Sequence, residues 1–501
     1  MEKIDSHQYT LWVFSGVLTG SALLSPFFWI LVFLGLFLQL YLLYSQKVSN
    51  KTVLIGATLA GTVHMLFSLS WGWSVVPLEW LGVSSGAVQS LFILSVWVLS
   101  ALVIGFGYGG ALFVLRYVTQ RHWSLLVFFP FAVLAGEVLG RMLFSIGSIS
   151  VDVGLSTSFG FGHMGYVLVE HGVLRGIAAF GGVYILSFVV GILAVLIYVA
   201  SQYFGKTKIR KITLGIFGIV VLYGSAFAYV PFQDDTQIPE NVALLSTQFS
   251  MEFDRSVEGT QMIEAMHKLA VQQALNQGNS TVIMPEDARY LASLDQAELE
   301  GLSGNLSQEV LIIDSSSKQR DGKTVLSAIL YNSVTKETYT YDKQHLVPFG
   351  EQLPIVYGLF MKLVGLSDAV QYLQNNFEYR VGVTKQGSET PTELPAVLFC
   401  YESLVPYMTH SLVDEQTPFV AHVVSQAWFD DSSNALKNQL SAMLRVQAVW
   451  NDTYILQSAN MSPSAVYTPA GDVYFSPSVE DDLLWRVDSA QDIVAGGRTR
   501  L

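Results

Sequence analysis

The sequence predicts a polytopic α-helical membrane bundle followed by an α/β domain. Of its 501 residues, 51% are hydrophobic and only 13% are charged, a composition too apolar for a soluble enzyme of this length. The charge is also divided, because residues 1–230 carry a net charge of +5 and residues 231–501 carry −18. We therefore expect a transmembrane domain at 1–230 and an acidic soluble domain at 231–501.

Seven segments of the first domain are apolar and long enough to cross about 30 Å of hydrocarbon. They lie near 11–25, 27–44, 53–76, 87–115, 123–145, 177–203 and 212–230. The first two are separated only by Ser25-Pro26, so they could also form one re-entrant hairpin or a signal peptide. Lys and Arg concentrate at the N-terminus and in every second connection. By the positive-inside rule, the N-terminus is cytoplasmic and the chain after residue 230 lies outside.

Two motifs lie within predicted spans. Glu137 and Arg141 are four residues apart on one helical face, which predicts an ion pair that fixes helix packing, with a lipid headgroup site as the alternative. The glycine-rich run Gly105–Gly110 superficially resembles a dinucleotide loop. It lacks a βαβ context, so we interpret it as a point of close helix packing.

In the second domain, short β-rich runs alternate with helical stretches, which predicts an α/β domain with a single core. The expected helices are Met262–Asn276 and Asn434–Val449. The expected strands are Val242–Leu245, Thr281–Met284, Val310–Ile313, Thr324–Tyr331, Ala396–Phe399, Phe419–Val424 and Tyr454–Gln457. There is no repeat or basic patch, so nucleic acid is not an expected partner.

Cys400 is the only cysteine of the chain, so it cannot form an internal disulfide. It is either a small buried hydrophobic residue or a functional thiol. Glu286 similarly follows an apolar run, and Lys343 precedes Glu351 across an apolar turn. Acyl transfer through a thioester needs a nucleophile, a base and a cation for the oxyanion, and Cys400, Glu286 and Lys343 could supply them.

Each of these residues also has a simpler interpretation. Glu286 could cap the following helix, and Lys343 could be an ordinary surface charge. His345 is close to Lys343 in sequence, but no Asp motif accompanies it, so we expect a structural histidine rather than a general base.

These motifs together resemble a known family. Glu286, Lys343 and Cys400 match the Glu-Lys-Cys triad of the nitrilase, or carbon-nitrogen hydrolase, superfamily. The run Lys343–Glu351, which reads Lys-Gln-His-Leu-Val-Pro-Phe-Gly-Glu, and the tripeptide Cys400–Glu402 are similar to the apolipoprotein N-acyltransferases. The resemblance covers nearly the whole chain and implies a nitrilase-like αββα sandwich as the second domain.

The resemblance also implies a ping-pong reaction without a cofactor or metal. A phospholipid, typically phosphatidylethanolamine, donates an acyl chain to Cys400, and the thioester then acylates the α-amino group of a lipoprotein's diacylglyceryl-cysteine. Glu286 would be the base, Lys343 the oxyanion stabiliser, and Glu351, Tyr401 and Glu402 supporting residues. The expected protein is a monomer in the bacterial cytoplasmic membrane with its catalytic domain on the periplasmic or external side.

The segment Leu353–Val364 is too short to span a membrane and too apolar for an exposed loop. We interpret it as an interfacial arm that enters the outer leaflet and gates lipid access. The alternative is a core helix of the α/β domain. The expected lipid-contacting residues are Tyr357, Phe360, Met361 and Leu363.

The chain departs from the family pattern downstream of Cys400. The departures are Val424-Ser425-Gln426 in place of Thr-Asn-Asp, Asp430 and Ser462 in place of glycines, and Ala448 in place of a glutamate. Residues 476–501 contain no apolar span, so the second domain is tethered at one end or the sequence is shortened. Two other functions stay open, a membrane-anchored amidase with the same triad and a catalytically silent scaffold.

Overall fold

A computed structural model describes residues 6–44, 48–78, 85–119, 122–202, 238–250, 256–304 and 309–497, apart from short gaps at 151, 156, 321, 349, 364, 366, 377–378, 385–390, 392, 430–433 and 480–483. The chain forms two compact units. The first comprises Met1–Ile149, Gly154–Gln233 and Ser432–Trp450, and the second comprises Ser150–Val153, Asp234–Asp431 and Asn451–Leu501.

The first unit is helical. Its elements are α1 (Ser6–Ser21), α2 (Leu31–Tyr44), α3 (Asn50–Ser68), α4 (Gly86–Val118), α5 (His122–Gly147), α6 (Gly172–Gly176), α7 (Gly182–Gln202) and α13 (Asn434–Trp450). Five helices of the described chain are long and apolar enough to cross a membrane, at Pro26–Tyr44, Asn50–Ser68, Gly86–Val118, Leu126–Gly147 and Gly182–Gln202. These confirm a polytopic bundle. The span expected near 11–25 is a 16-residue helix, and the seventh, at 212–230, lies outside the described residues.

Helix α4 packs closely on its neighbours through the predicted glycine cluster. A Cβ atom at Gly105 would lie 2.4 Å from the Thr62 nitrogen of α3, and one at Gly107 would lie 2.4 Å from Gly140 of α5. No side chain fits at such distances, so these helices could not approach each other with larger residues. The interpretation of Gly105–Gly110 as a packing motif is therefore confirmed, with Gly110 as its one open position.

The predicted ion pair between Glu137 and Arg141 is wrong. The Glu137 carboxylate pairs with His163 Nδ1 at 2.7 Å and accepts the Met164 amide at 2.7 Å. Arg141 instead donates to the carbonyl oxygens of Glu137, Phe159 and Phe161, at 2.7, 2.9 and 2.5 Å. Spacing along the helix placed both side chains on one face, but the chain at 159–164 supplies the partners for both of them.

Helix α13 belongs with the first unit, although its residues fall in the range expected for the soluble domain. Arg445 Nη1 lies 2.5 Å from Glu170 Oε1. Gln439 accepts the Ser68 hydroxyl and donates to the Ser68 carbonyl, both at 2.9 Å. The sequence predicted this helix but not these partners, which are more than 270 residues away.

The second unit contains a mixed eleven-stranded sheet. Its strands are β1 (Val242–Thr247), β2 (Thr281–Ile283), β3 (Leu311–Arg320), β4 (Lys323–Asn332), β5 (Thr338–Asp342), β6 (Ala396–Phe399), β7 (Val420–Ser425), β8 (Ile455–Asn460), β9 (Ala465–Tyr467), β10 (Val473–Phe475) and β11 (Trp485–Ser489). Its helices are α8 (Val257–Asn276), α9 (Gln296–Gly304), α10 (Ile355–Leu363), α11 (Ser367–Asn376), α12 (Met408–Leu412) and α14 (Ala490–Ala495).

The strand order is β10-β9-β8-β1-β2-β3-β4-β5, and β6 pairs with β7, which pairs with β8. Strands β1, β2, β3, β6, β7 and β8 are joined by parallel pairings. Strand β5 is antiparallel to β4, which is antiparallel to β3, so β5 runs with the parallel set. The carboxyl ends of β5 and of the six parallel strands therefore lie at the same edge of the sheet.

Alternating strand residues build two cores, as expected for strands that are buried on both faces. Val242 and Leu244 of β1 join Val397 of β6 and Leu456 of β8 in an inner core. Most residues of this core come from strands. Ala243 and Leu245 instead pack with helix α8 in an outer core. This arrangement agrees with the predicted layered α/β class.

All seven strands predicted from the sequence are present, six of them within a few residues of the expected bounds, whereas β3 extends seven residues beyond Ile313 to Arg320. The strands that were not predicted are β5, β9, β10 and β11, which have three to five residues each. Such short strands lack a clear period, and each of them pairs antiparallel with its neighbour.

Candidate active site

The residues predicted to carry the chemistry follow the carboxyl ends of three strands that run in the same direction. Glu286 comes three residues after β2, Lys343 directly follows β5, and Cys400 directly follows β6. Side chains at this edge of a parallel set converge, which is why sites in α/β folds commonly form there. The sequence predicted the strands before Glu286 and Cys400 but not β5 before Lys343, and the sheet brings the three residues together.

Lys343 is the centre of the site. Its side chain is 1% exposed, and its Nζ lies 3.1 Å from Glu286 Oε1 and 2.7 Å from Glu351 Oε1. The second oxygen of Glu351 accepts the Val347 amide at 2.9 Å, which fixes the turn between the two charged residues. The surface-charge interpretation of Lys343 is therefore wrong.

Glu286 is presented by a tight turn after β2. The next residue, Asp287, has a φ of 55°, in the left-handed region that Asp tolerates better than most residues. Asp287 is held there because its amide donates to Ser315 Oγ at 2.8 Å and its Oδ1 accepts the Ser317 amide at 2.7 Å. The Glu286 carboxylate caps no helix and instead faces Lys343, with its Oε2 accepting the Ser425 amide at 3.2 Å.

Cys400 begins a short 3₁₀ helix, Cys400–Leu404, that follows β6. The residue as a whole is half-buried. The Sγ atom lies 3.9 Å from the carbonyl oxygen of Ser425, the same residue whose amide binds Glu286. The proposed base and nucleophile therefore both contact the backbone of one residue, Ser425.

The charges of the site act on one another strongly. Burial alone would lower the pKa of Lys343, but Glu286 and Glu351 outweigh it and hold the pKa well above its usual value. Burial raises the pKa of Glu286, against the opposing influence of Lys343. Burial also raises the pKa of the Cys400 thiol, and the Glu286 charge adds to this effect. The resting state is thus a protonated thiol and ammonium beside a carboxylate that can accept a proton.

Glu402 lies beneath the site and joins two of its strands. It accepts the amides of Gln344 and His345, after β5, at 2.6 and 3.1 Å, and the amide of Phe399, in β6, at 3.1 Å. Lys343 and Cys400 each adjoin one of these amides, so Glu402 fixes their relative position. Burial raises the pKa of Glu402 to about 7, although the amide donors oppose it.

Tyr401 and His345 flank the site. Tyr401 is 8% exposed, and burial raises the pKa of its hydroxyl. The ring of His345 packs edge-on to Tyr407 with 6.4 Å between centroids, and burial lowers the pKa of the imidazole to about 4. A neutral ring packed on an aromatic side chain agrees with the structural role expected for His345.

Helix α10 begins four residues after Glu351 and exposes apolar side chains. Phe360 is 50% and Leu363 is 86% exposed, and Ile355, Val356 and Leu359 are also exposed. Positions 355, 356, 359, 360 and 363 follow a helical period and form one face. The core-helix alternative does not fit this exposure. Met361 is only 4% exposed, so its assignment as a lipid-contacting residue is withdrawn, because its side chain packs inward.

Sequence reasoning missed two contributors to the site, Asn460 and the backbone of Ser425. Ser425 ends β7 and Asn460 ends β8, and they are register partners. A polar residue at the end of an apolar strand was the available signal, the same one that identified Glu286. Among the departures from the family pattern, Asp430 lies outside the described residues. In the part of the chain that the structure describes, no group of three His, Cys, Asp or Glu could hold a metal ion.

The architecture and the site define a class of multi-pass membrane protein whose second unit carries a buried Glu-Lys-Cys centre. Residues 15–196 match the family model described as the apolipoprotein N-acyltransferase N-terminal domain. Relatives named apolipoprotein N-acyltransferase include those of Pasteurella multocida, 24% identical over 87% of this chain and 81% of the relative, and Geobacter metallireducens, 24% identical over 94% and 87%. The chain is thus similar to apolipoprotein N-acyltransferases over most of its length.

A third relative of the same name, from Aquifex aeolicus, is 27% identical over 62% of this chain and 66% of its own length. Among solved structures, a carbon-nitrogen hydrolase from Helicobacter pylori covers 51% of this chain and 90% of its own, at 12% identity and a TM-score of 0.34.

The competition between burial and amide donors at Glu402 predicts a pH dependence of stability. A carboxyl whose pKa rises from 4.5 to about 7 on folding retains its proton, so its contribution is full below pH 4.5 and is lost as the pH rises through about 7. Relative to Glu402→Gln, which cannot ionise, the wild type should lose up to about 1.4 kcal/mol of unfolding free energy per pH unit in this window.

Thermal unfolding of both proteins in detergent, measured across this pH range, tests the prediction. Because all other ionisable groups are shared, the difference between the two Tm values isolates Glu402. A difference that stays constant or increases with pH would mean that the three amides keep Glu402 ionised in the folded protein.

Proposed function

We propose that the protein transfers an acyl chain from a membrane phospholipid, through a thioester on Cys400, to the N-terminal amino group of diacylglyceryl-cysteine in lipoproteins. The observation that carries this proposal is the placement of Lys343 between Glu286 and Glu351 at the strand edge that presents Cys400. The similarity to relatives named apolipoprotein N-acyltransferase supports the reaction class.

In the first half-reaction, Glu286 accepts the thiol proton as Cys400 Sγ attacks the ester carbonyl carbon. The negative charge that develops on the carbonyl oxygen is stabilised by the Lys343 ammonium, which the two carboxylates keep protonated. Collapse of this intermediate breaks the ester C–O bond, and Glu286 returns the proton to the departing lysophospholipid oxygen. The raised pKa of Glu286 suits both transfers.

In the second half-reaction, the lipoprotein amine attacks the thioester carbonyl. Glu286 accepts a proton from the attacking nitrogen, and Lys343 again stabilises the oxyanion. The C–S bond breaks, the amide forms, and the proton on Glu286 returns to the Cys400 sulfur. The thiol and carboxylate are restored, so the cycle needs no cofactor.

We further propose that the bundle lies in the bacterial cytoplasmic membrane, with the N-terminus inside and the catalytic unit outside. The supporting observation is the distribution of Lys and Arg between alternate connections of the first 230 residues. A site on that side has access to both the phospholipid and the exported lipoprotein. We also propose that the enzyme is a monomer and that it does not bind nucleic acid.

Labelling with a phospholipid that carries a tagged acyl chain tests the thioester. Wild-type protein should acquire a tag that hydroxylamine removes, and Cys400→Ala should acquire none. Because Cys400 is the only cysteine, a thioester can form at no other residue. Equal labelling of the two proteins contradicts the proposal. An untagged wild type that releases ammonia from small amides without any lipid would instead indicate the amidase alternative.

We also propose that the exposed face of α10, defined by positions 355, 356, 359, 360 and 363, contacts the membrane surface and admits the donor lipid. An apolar face of this kind beside a site is typical of a lipid-contacting helix. Replacing Phe360 and Leu363 by Lys should slow acylation of Cys400 from phospholipid vesicles by roughly tenfold, because charges would lie where acyl chains enter.

The control is Val383→Lys, which places one lysine at an 85% exposed apolar position outside α10, and it is compared with the single variant Leu363→Lys as well as with the double variant. The rate of Cys400 alkylation by iodoacetamide, a soluble reagent, should not change in any of these proteins. If Cys400 of the α10 variant is acylated at the wild-type rate, the helix does not admit lipid. The same conclusion follows if its alkylation slows as much as its acylation.

A further inference from the structure

Asn460 is placed to control the catalytic pair without touching it. It ends β8 and is the register partner of Ser425 in β7 and of Thr247 in β1. Its backbone carbonyl accepts the Gln426 amide at 2.9 Å. Three strand ends therefore meet at this residue, on the same sheet edge as Glu286 and Cys400.

The side-chain amide of Asn460 uses its full hydrogen-bonding capacity. Its Oδ1 accepts the Thr247 hydroxyl at 2.9 Å and the Phe249 amide at 2.8 Å. Its Nδ2 donates to the Phe249 carbonyl at 2.9 Å and to Ser425 Oγ at 3.1 Å. Four bonds in fixed directions hold this side chain rigidly, and one of them ends on Ser425.

Ser425 links Asn460 to the proposed reacting groups, Glu286 and Cys400. Its amide donates to Glu286 Oε2 at 3.2 Å, and its carbonyl oxygen lies 3.9 Å from Cys400 Sγ. Ser425 is thus bonded to Asn460 through its side chain and contacts the base and nucleophile through its backbone.

We propose that Asn460, acting through the Ser425 hydroxyl, is a positioning residue that sets the geometry between Glu286 and Cys400. This inference rests on the proposed catalytic roles of those two residues. It also gives a role to Ser425, a position at which the chain departs from the pattern of the family it resembles. The small Ser425 hydroxyl accepts a hydrogen bond from the Asn460 side-chain amide, while the backbone amide and carbonyl of Ser425 face Glu286 and Cys400.

Loss of this bond should have a chemical signature and not only a stability cost. The Ser425 amide stabilises the ionised form of Glu286, and the Ser425 backbone also lowers the pKa of the Cys400 thiol. If the peptide is no longer held, both stabilising contacts weaken. The pH at which Cys400 becomes reactive should then move upward.

The test measures the rate of Cys400 alkylation by iodoacetamide against pH in the full-length protein, with Tm recorded in parallel. Ser425→Ala and Asn460→Ala should each slow alkylation at neutral pH by roughly tenfold and shift the profile to higher pH. The double variant should be no slower than the slower single variant, because both remove the same bond.

The matched control is Ser458→Ala, in the same strand as Asn460. Ser458 is fully buried and donates to the Leu245 carbonyl at 2.7 Å, so its loss should lower Tm without changing the alkylation profile. Additive effects in the double variant, or a Ser458→Ala profile that shifts equally, would overturn the inference. Should Asn460→Ala fail to fold, Ser425→Ala alone decides it.

Alkylation needs neither lipid nor lipoprotein, so this result is independent of the acyl transfer. An altered alkylation profile in a protein that forms no thioester would preserve the positioning role and reject the proposed function. If the wild-type protein transfers acyl chains but the variants keep a normal alkylation profile, the proposed function stands and the positioning role is rejected.

Discussion

The buried charge of Lys343 is the constraint on which the site depends. An ammonium at 1% exposure costs several kcal/mol unless it is paired, and Glu286 and Glu351 supply that pairing from two separate turns. With two carboxylates and one ammonium, the site already holds an excess negative charge. A thiolate would add another, which disfavours ionisation of the Cys400 thiol at rest.

The surrounding fold maintains this arrangement by tying strand ends together. Glu402 joins the ends of β5 and β6 through three amides, and Ser425 and Asn460 join β7 to β8 and β1. Glu402 thus fixes the backbone beside Lys343 and Cys400, and the Ser425 amide fixes the Glu286 carboxylate. Such support reduces the reorganisation needed at each step, which is how preorganised sites lower a barrier.

Sequence reasoning recovered the features that have a local period or a specific motif. The apolar spans, the long strands and the candidate residues Glu286, Lys343 and Cys400 were visible in this way. It failed where partners are remote in sequence: Arg141 binds backbone carbonyls rather than the Glu137 carboxylate, and Asn460 reaches Ser425 from the neighbouring strand. Met361 was misassigned because composition defines an apolar segment but not which of its side chains faces inward.

The central claim is that this chain adds a third acyl chain to lipoproteins through Cys400. The most direct measurement is the mass of a lipoprotein N-terminal peptide from a bacterium depleted of its own N-acyltransferase and supplied with this gene. We expect an acylated amino group with the wild-type chain and a free amine with Cys400→Ala at equal membrane abundance. A free amine in the presence of abundant wild-type protein would contradict the account.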